Sequence, residues 1–328
     1  MKESVLITGA SGFLGFHIIN AALQANLDVF AAVRAKSNIR HLIDLPVKIV
    51  QLNYENPLAL AEDFKQKKYN YIIHAAGITK ANNEAEYNLV NNIYSNNLAL
   101  AASEIQEHLK KFVFISSLAA AGPLKDIEGA IDESMIPNPV TAYGRSKLNA
   151  EKQLSTYNFP VTILRPTAIY GPREKDLFIV ANYLKKGFDP HIGKFPQKLS
   201  FVHGKDVATL AVKALFLQQA NGIYNVTDGH VYGRYDFGII IKKILNRKAV
   251  RVHIPIGVLK IILVGVEKIN RYLKKVSPVN REKLNELAAV NWSCDISKAK
   301  SSLGYLPVYD LELGLKESID WYIDNKWL

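Results

Sequence analysis

The sequence predicts an α/β protein, a doubly wound parallel sheet, and three observations predict it. Short apolar runs rich in β-branched residues alternate with helical patterns through the first half of the chain. The runs are apolar on both faces, as strands covered by helices on both sides have to be. The first of them leads straight into Thr8-Gly9-Ala10-Ser11-Gly12-Phe13-Leu14-Gly15, a glycine-rich turn that opens a helix. Strand–helix alternation with long crossovers is the signature of such a sheet.

In chain order, strands are predicted over Val5–Thr8, Val29–Val33, Val47–Leu52, Tyr71–His74, Phe112–Ser116 and Val161–Leu164. Helices are predicted between them, over Gly12–Ala25, Pro57–Lys67, Glu84–Leu109 and Thr141–Tyr157. Pro57 suits a first helical turn, where its missing N–H costs nothing. After Arg165-Pro166 the alternation fades, and Pro172, Pro190, Gly193 and Pro196 punctuate loops. Residues 1–170 are therefore assigned to the sheet domain. Residues 171–328 are assigned mostly to a smaller C-terminal lobe, interleaved with the first domain, that forms the substrate side of a cleft.

Composition narrows the setting. The single cysteine, Cys294, rules out an intramolecular disulfide framework and fits a reducing compartment. Met1-Lys2-Glu3-Ser4 runs directly into the first strand without a signal segment, so a cytoplasmic protein is expected. The apolar run from Ile254 to Val266 is interrupted by Lys260 and is too short to span a bilayer. It reads as an amphipathic helix of the lobe, with a membrane-surface contact as the lesser reading. A net charge of +11 suits anionic ligands such as nucleotide phosphates. The basic residues are dispersed, as at Lys185-Lys186, Lys242-Lys243 and Lys274-Lys275, so nucleic acid is not an expected partner.

The spacing Gly9-x-x-Gly12-x-x-Gly15 between a strand and a helix fits a dinucleotide. Glycines there permit a tight turn, close approach of backbone to pyrophosphate, and close helix–strand packing. The helix start then directs free N–H groups and its positive dipole end at the phosphates. At the end of the second strand an NAD site usually places a carboxylate for the ribose hydroxyls. This chain has Val33, Arg34 and, two on, Lys36, while Asp28 reads as a turn residue before the strand. A guanidinium suits a 2′-phosphate, so NADP is expected, with NAD as the other option.

Tyr143 and Lys147 stand at i and i+4 and share a helix face. A phenol has an ordinary pKa of about 10, and a neighbouring ammonium favours the phenolate. Lowering it by about 3 units requires roughly 4 kcal/mol, a share of which an oxidised nicotinamide's charge would supply. Tyr322 and Lys326 repeat the spacing at the C-terminus, where an exposed helix face is expected. Context separates the two pairs, because Ser116-Ser117 ends a strand at the edge where open α/β sheets bind ligands. Ser117 is thus a candidate to orient a substrate oxygen, and strand-end turn formation is its plain structural alternative.

The eight histidines are dispersed and show no metal-ligand spacing, so no metal is expected. His74 ends a buried strand and reads as packed beside a cofactor. His203 reads as structural, and Asp132-Glu133 as a solvated loop.

With these residues the chain resembles the extended short-chain dehydrogenase/reductase family, the group of NAD(P)-dependent epimerases and dehydratases on a Rossmann-type sheet. Thr8–Gly15, His74-Ala75-Ala76-Gly77, Ser116-Ser117, Tyr143–Lys147 and Arg165-Pro166-Thr167-Ala168-Ile169-Tyr170-Gly171-Pro172 look like its blocks, in order. Phe201–Ala208, Leu313-Gly314-Leu315 and Trp321-Tyr322 echo later ones. The resemblance implies Ser117, Tyr143 and Lys147 as the catalytic group, with Lys147 also on the nicotinamide ribose. It implies Ala75, Ala76 and Gly77 along the adenosine side, with Pro166 and Ala168 near the nicotinamide. Asn53 falls where the family often has Asp beside the adenine, and Asn91 matches an asparagine beneath the cofactor. It also implies a homodimer formed through Glu84–Leu109 and Thr141–Tyr157.

Two departures bear on chemistry. Gly193–Lys198 lacks the arginine that many family members use for a substrate diphosphate, and Leu118–Ala121 lacks the acidic group of dehydratases. The leading expectation is therefore an NADP-dependent oxidoreductase acting on a small carbonyl or alcohol, with Tyr143 as general acid/base. The alternative is a sugar-nucleotide epimerase or dehydratase with transient hydride transfer. A third is a non-catalytic NAD(P)-binding sensor.

Overall fold

Seven parallel strands form the central sheet of the computed structural model, which describes residues 2–263 and 281–328. They are β1 (Ser4–Thr8), β2 (Asp28–Ala32), β3 (Lys48–Val50), β4 (Tyr71–His74), β5 (Lys111–Ile115), β6 (Val161–Pro166) and the edge strand Gly222–Val226. From one edge the order is β3, β2, β1, β4, β5, β6, then Gly222–Val226. Thr8 at the end of β1 pairs with Ala32 of β2 on one side and His74 of β4 on the other. The chain leaves β1 towards β2 and returns to β4 across it, so a crevice opens at the carboxyl ends of β1 and β4.

Alternation along β1 divides the core. Val5 and Ile7 join one buried cluster with Ile18 and Ile19 of the helix Phe13–Gln24 and Ala208 and Ala211 of Gly204–Leu215. Leu6 joins the other, with Leu60 and Phe64 of Pro57–Lys67, Leu98 of Tyr94–Ser103 and Ala150 of Ala142–Leu154. Both faces are covered, which is why the strands read as continuous apolar runs.

Several boundaries differ from expectation. Asp28 is the first residue of β2, not a turn residue before it, and its carboxylate lies 2.6 Å from Lys48 Nζ on β3. The stretch expected as one helix over Glu84–Leu109 is Glu84–Tyr87, a π-helical turn Asn88–Ile93 and Tyr94–Ser103, with turns to 108. Tyr322 is buried at 1% exposure, and its hydroxyl donates to Glu174 O at 2.7 Å. Ring packing against Phe178 and Trp327 overrode its expected place on an exposed face, and Lys326 lies beyond the helix end at Asp324 with φ +58°.

From residue 168 on, strands pair as Ala168–Tyr170 with Phe201–His203, Lys198–Leu199 with Tyr232–Gly233, and Phe188–Ile192 with Val250–Ile254. Helices Lys175–Lys185, Asp236–Ile244 and Leu311–Asp324 close a separate cluster around Tyr170 and Phe201. Yet Gly204–Leu215, Gly222–Val226 and Ser297–Leu303 return to the central sheet and its covering layer. Glu133 is not merely solvated, because its Oε1 accepts from Asn225 N at 2.7 Å and occupies a donor of the edge strand. Of the apolar run from Ile254, residues 256–263 are helical, and 264–266 lie outside the described residues. Among the described residues no helix is long and apolar enough to cross a membrane.

Candidate active site

The glycine turn is shaped by contacts that no larger residue would allow. Gly9 has φ +70°, and a methyl group there would stand 2.7 Å from Ala75 O. One on Gly15 would stand 2.1 Å from Gly9 O. Gly12 caps the helix Phe13–Gln24, and no side chain accepts from the first-turn N–H groups. They point into the crevice uncapped, beside exposed Gly12 and Gly77 and half-buried Ser11, Phe13, Leu14, Ala75 and Ala76. This cradle of free donors fits a dinucleotide pyrophosphate. Arg34 and Lys36 are exposed in the turn after β2, where Ser37 N bonds Arg34 O at 2.9 Å. Asn53 is exposed, and its Oδ1 accepts from Glu55 N at 3.2 Å. Pro166 closes β6, and Ala168 is exposed two residues on.

At the carboxyl end of β5 the other sequence candidates converge. Thr141 caps the helix Ala142–Leu154 through Gly144 N at 3.0 Å. Gly144 lets that helix abut the turn after Ser117, since a methyl group there would lie 2.3 Å from Ala119 O. Ser117 accepts from Ala119 N at 3.2 Å, which is its turn-forming role, and its hydroxyl acts on the Tyr143 phenol by favouring the ionised form. Tyr143 packs edge-on against Tyr87, with ring centroids 6.2 Å apart. Lys147 is buried; its Nζ donates to Ile115 O at 2.9 Å and lies 4.6 Å from the centre of the Phe114 ring. A methyl group on Gly77 would come within 3.4 Å of that ammonium, so the amine faces the β4 loop.

The electrostatics differ from the sequence expectation. Burial pushes the Tyr143 phenol up to about 12, and the neighbouring Ser117 hydroxyl only partly opposes this. Burial also lowers Lys147 to about 8, with the Glu151 carboxylate one turn on acting the other way. The amine spends its one hydrogen bond among the described residues on a backbone carbonyl. Sharing a helix face did not by itself acidify the phenol, because both groups are desolvated together.

Beneath these groups runs a chain of hydrogen bonds that the sequence did not reveal. Ala76 N donates to Thr8 Oγ1 at 3.1 Å, Thr8 Oγ1 lies 2.7 Å from His74 Nδ1, and His74 Nε2 lies 2.8 Å from Ser95 Oγ. Ser95 gives its only proton to Asn91 O at 2.7 Å, so it accepts from His74 Nε2–H and Thr8 donates to Nδ1. Burial lowers His74 to about 3, which keeps it neutral and makes it a structural link. Asn91, in the π-helical turn, accepts from Ile78 N at 2.8 Å and donates to Ile78 O and Ser146 Oγ, each at 3.0 Å. Ser146 in turn donates to Tyr143 O at 2.7 Å. A π-helical turn aims one residue out of the regular ladder, here Asn91. Ser116 donates to buried Glu151, which forms an ion pair with buried Arg165 at 2.5 Å. Thr141, a capping residue before a helical run, carries a local signal of its own, whereas Asn91 was marked only through the family resemblance.

Two further sequence candidates have structural partners. His203 is fully buried, caps Gly204–Leu215 and stacks on Tyr309 at 4.0 Å between ring centroids. Lys198, in the segment that lacks the family's diphosphate arginine, pairs with Glu128 at 2.8 Å. Among the described residues no group of His, Cys, Asp or Glu could hold a metal ion.

Comparison with known proteins identifies the family and the fold. The sequence model of the NAD dependent epimerase/dehydratase family matches residues 5–227. The chain is 26% identical to a UDP-glucose 4-epimerase of Vibrio cholerae over 98% of its own length and 96% of the relative's. It is 25% identical to a ceramide reductase of Caulobacter vibrioides, over 99% and 96%. Its fold matches the structure of UDP-glucuronic acid 4-epimerase from Bacillus cereus in complex with NAD, with a TM-score of 0.78 and 21% identity over 98% and 99% of the two chains.

Proposed function

Because the chain belongs to the NAD dependent epimerase/dehydratase family, we propose that it is a sugar-nucleotide epimerase that oxidises and re-reduces one hydroxyl-bearing carbon. The observation that carries this is the convergence of Ser117, Tyr143 and buried Lys147 at the carboxyl end of β5. The relation to a UDP-glucose 4-epimerase over nearly the whole chain supports it over net oxidoreduction, the reading the sequence put first.

A bound nicotinamide dinucleotide supplies the hydride acceptor and donor. Gly9, Ser11, Gly12, Phe13, Leu14 and Gly15 would hold its pyrophosphate. Asn53 and Ala75–Gly77 would lie along its adenosine, Pro166 and Ala168 near its nicotinamide, and Lys147 at a ribose. The chain's own groups divide the remaining work. Ser117 orients the substrate oxygen through a hydrogen bond. Tyr143 takes the proton of that hydroxyl as the carbon is oxidised and returns it on reduction. Lys147, charged below about pH 8, would favour the phenolate as a nearby cation does, against the burial that raises the phenol. Gly144 and Ser146 position the phenol.

Arg34 supports NADP over NAD, since no carboxylate stands at the end of β2. Leu89, Ile93 and Leu100, exposed apolar residues between Glu84 and Ser103, support a homodimer through that face. A second reading, NADPH-consuming reduction of a ketone, is favoured by Arg34 together with the engagement of Lys198 by Glu128 and by the relation to a ceramide reductase.

The test is turnover of UDP-glucose and UDP-galactose followed beside cofactor absorbance. Epimer exchange with no net absorbance change, and a dinucleotide retained through purification, is the expected result. Stoichiometric NADPH oxidation with ketones and no epimer exchange would replace it with the second reading. An Arg34→Ala enzyme is expected to lose its NADP preference, read as the ratio of the two cofactor affinities.

A further inference from the structure

The two-stranded ribbon of the lobe is built inside out. Val250 pairs with Phe188, Val252 with Pro190 and Ile254 with Ile192. Alternation sends Asp189, His191, Arg251 and His253 to the opposite face. That polar face is the engaged one. Asp189 is 3% exposed and lies 2.8 Å from His191 and 2.6 Å from Lys242, and Arg251 stacks 3.8 Å over the Tyr235 ring. The apolar face is left to solvent, with Val250 70%, Phe188 57% and Val252 41% exposed. The chain runs from Ile254 through Pro255 into the helical residues 256–263, where Ile261 is 75% and Ile262 51% exposed. An exposed patch rimmed by polar residues marks a surface that meets something.

The charge around it points to the occupant. Both strands run the same way, so their first ends lie together. The residues just before them, Lys185-Lys186 and Arg247-Lys248, are all exposed. Lys185 and Arg247 line one shallow cavity, and Lys260 is exposed on the helix. From Lys185 to Leu263 the chain carries thirteen lysines and arginines against four aspartates and no glutamate. Two copies meeting through this face would set like charges against each other. Aliphatic side chains ringed by long cations suit shallow insertion among acyl chains beneath anionic headgroups.

We propose that the Phe188–Val250–Val252 face and the helix that follows it dock this protein onto an anionic lipid bilayer. The docking is separate from the reaction and rests on no assignment of substrate. The test is flotation of the full chain with vesicles of phosphatidylcholine mixed with phosphatidylglycerol, and of phosphatidylcholine alone. Binding is expected to the mixed vesicles, to weaken with added salt, and to fall about tenfold in a Val250→Asp/Val252→Asp variant. Thermal stability should stay unchanged, because both side chains face solvent. A Lys186→Glu/Lys248→Glu variant, altered only at exposed charges, should lose binding similarly and serves if the first variant fails to fold. Failure of the folded wild type to float with mixed vesicles, or full binding by both variants, would overturn the proposal. So would a sedimentation-detected dimer that the aspartates dissociate, since that assigns the face to a second copy.

Discussion

A buried lysine sits at each end of β5, and the two ends use it differently. At the amino end Lys111 is fully buried, and its ammonium donates to Leu217 O, Gln218 O and Ala220 O at 3.0, 3.3 and 3.1 Å and to Asn221 Oδ1 at 2.8 Å. At the carboxyl end Lys147 makes one such bond, to Ile115 O, and turns towards Gly77. Burial lowers both to about 8. The same residue type, buried at both places, is thus saturated at one end and held with open capacity at the other. Parallel sheets bind ligands at the carboxyl ends of their strands, so open hydrogen-bonding capacity at that end has a use.

That contrast can be broken by substitution. Tyr143→Phe and Lys147→Met are expected to lower turnover by about 10²–10⁴-fold, the usual worth of a positioned acid–base group. Tyr143→Phe should keep its bound dinucleotide. Turnover within a few-fold of wild type, measured at saturating substrate, would remove the difference between the two ends. Lys111→Met should act the other way round, costing about 3 kcal/mol of stability by stranding several buried oxygens. Its turnover per folded molecule should match wild type in a denaturant-calibrated assay.

The pH dependence sharpens the same comparison. On the proposed mechanism Lys147, which carries its charge below about pH 8, supports the Tyr143 phenolate fully there and progressively less above it. A kcat–pH profile should fall through about pH 8, and the fall should be absent from Lys147→Met. Lys111, also at about 8, lies below its unfolded value of about 10.5. Between those values the unfolded chain holds more protons, so stability rises with pH across that window. Lys111→Met should flatten part of that rise in urea melts. The smallest effect is expected from Ser95→Ala, which strands the His74 Nε2–H. A loss of about 1–2 kcal/mol, with turnover reduced far less than in Tyr143→Phe, would mark the Thr8–His74–Ser95–Asn91 chain as a support.

Much of this was legible in the sequence. The strands fall within a few residues of their predicted positions, because apolar period and helix-start signals are local. The glycine turn and the Ser117, Tyr143 and Lys147 set were readable because fixed spacing forces them onto known edges of a sheet. The break in Glu84–Leu109 was not readable, since Asn91 leaves the regular ladder to meet Ile78 and Ser146, partners 13 and 55 residues away. Tyr322 looked exposed because its burial depends on Gly171 and Glu174, about 150 residues back. Glu133 looked solvated for the same reason, as the edge strand it covers arrives 92 residues later.

The sequence by itself determined the doubly wound sheet, the cradle at Gly9–Gly15 and the candidate group at the end of β5, all of which follow from short-range pattern and spacing. Only the tertiary structure decided how those groups are charged. A phenol expected to be acidified by its neighbour is instead raised by burial, and two lysines with similar values divide between support and site. Desolvation and hydrogen-bond supply depend on what distant segments bring to a point in space, and no local pattern encodes that.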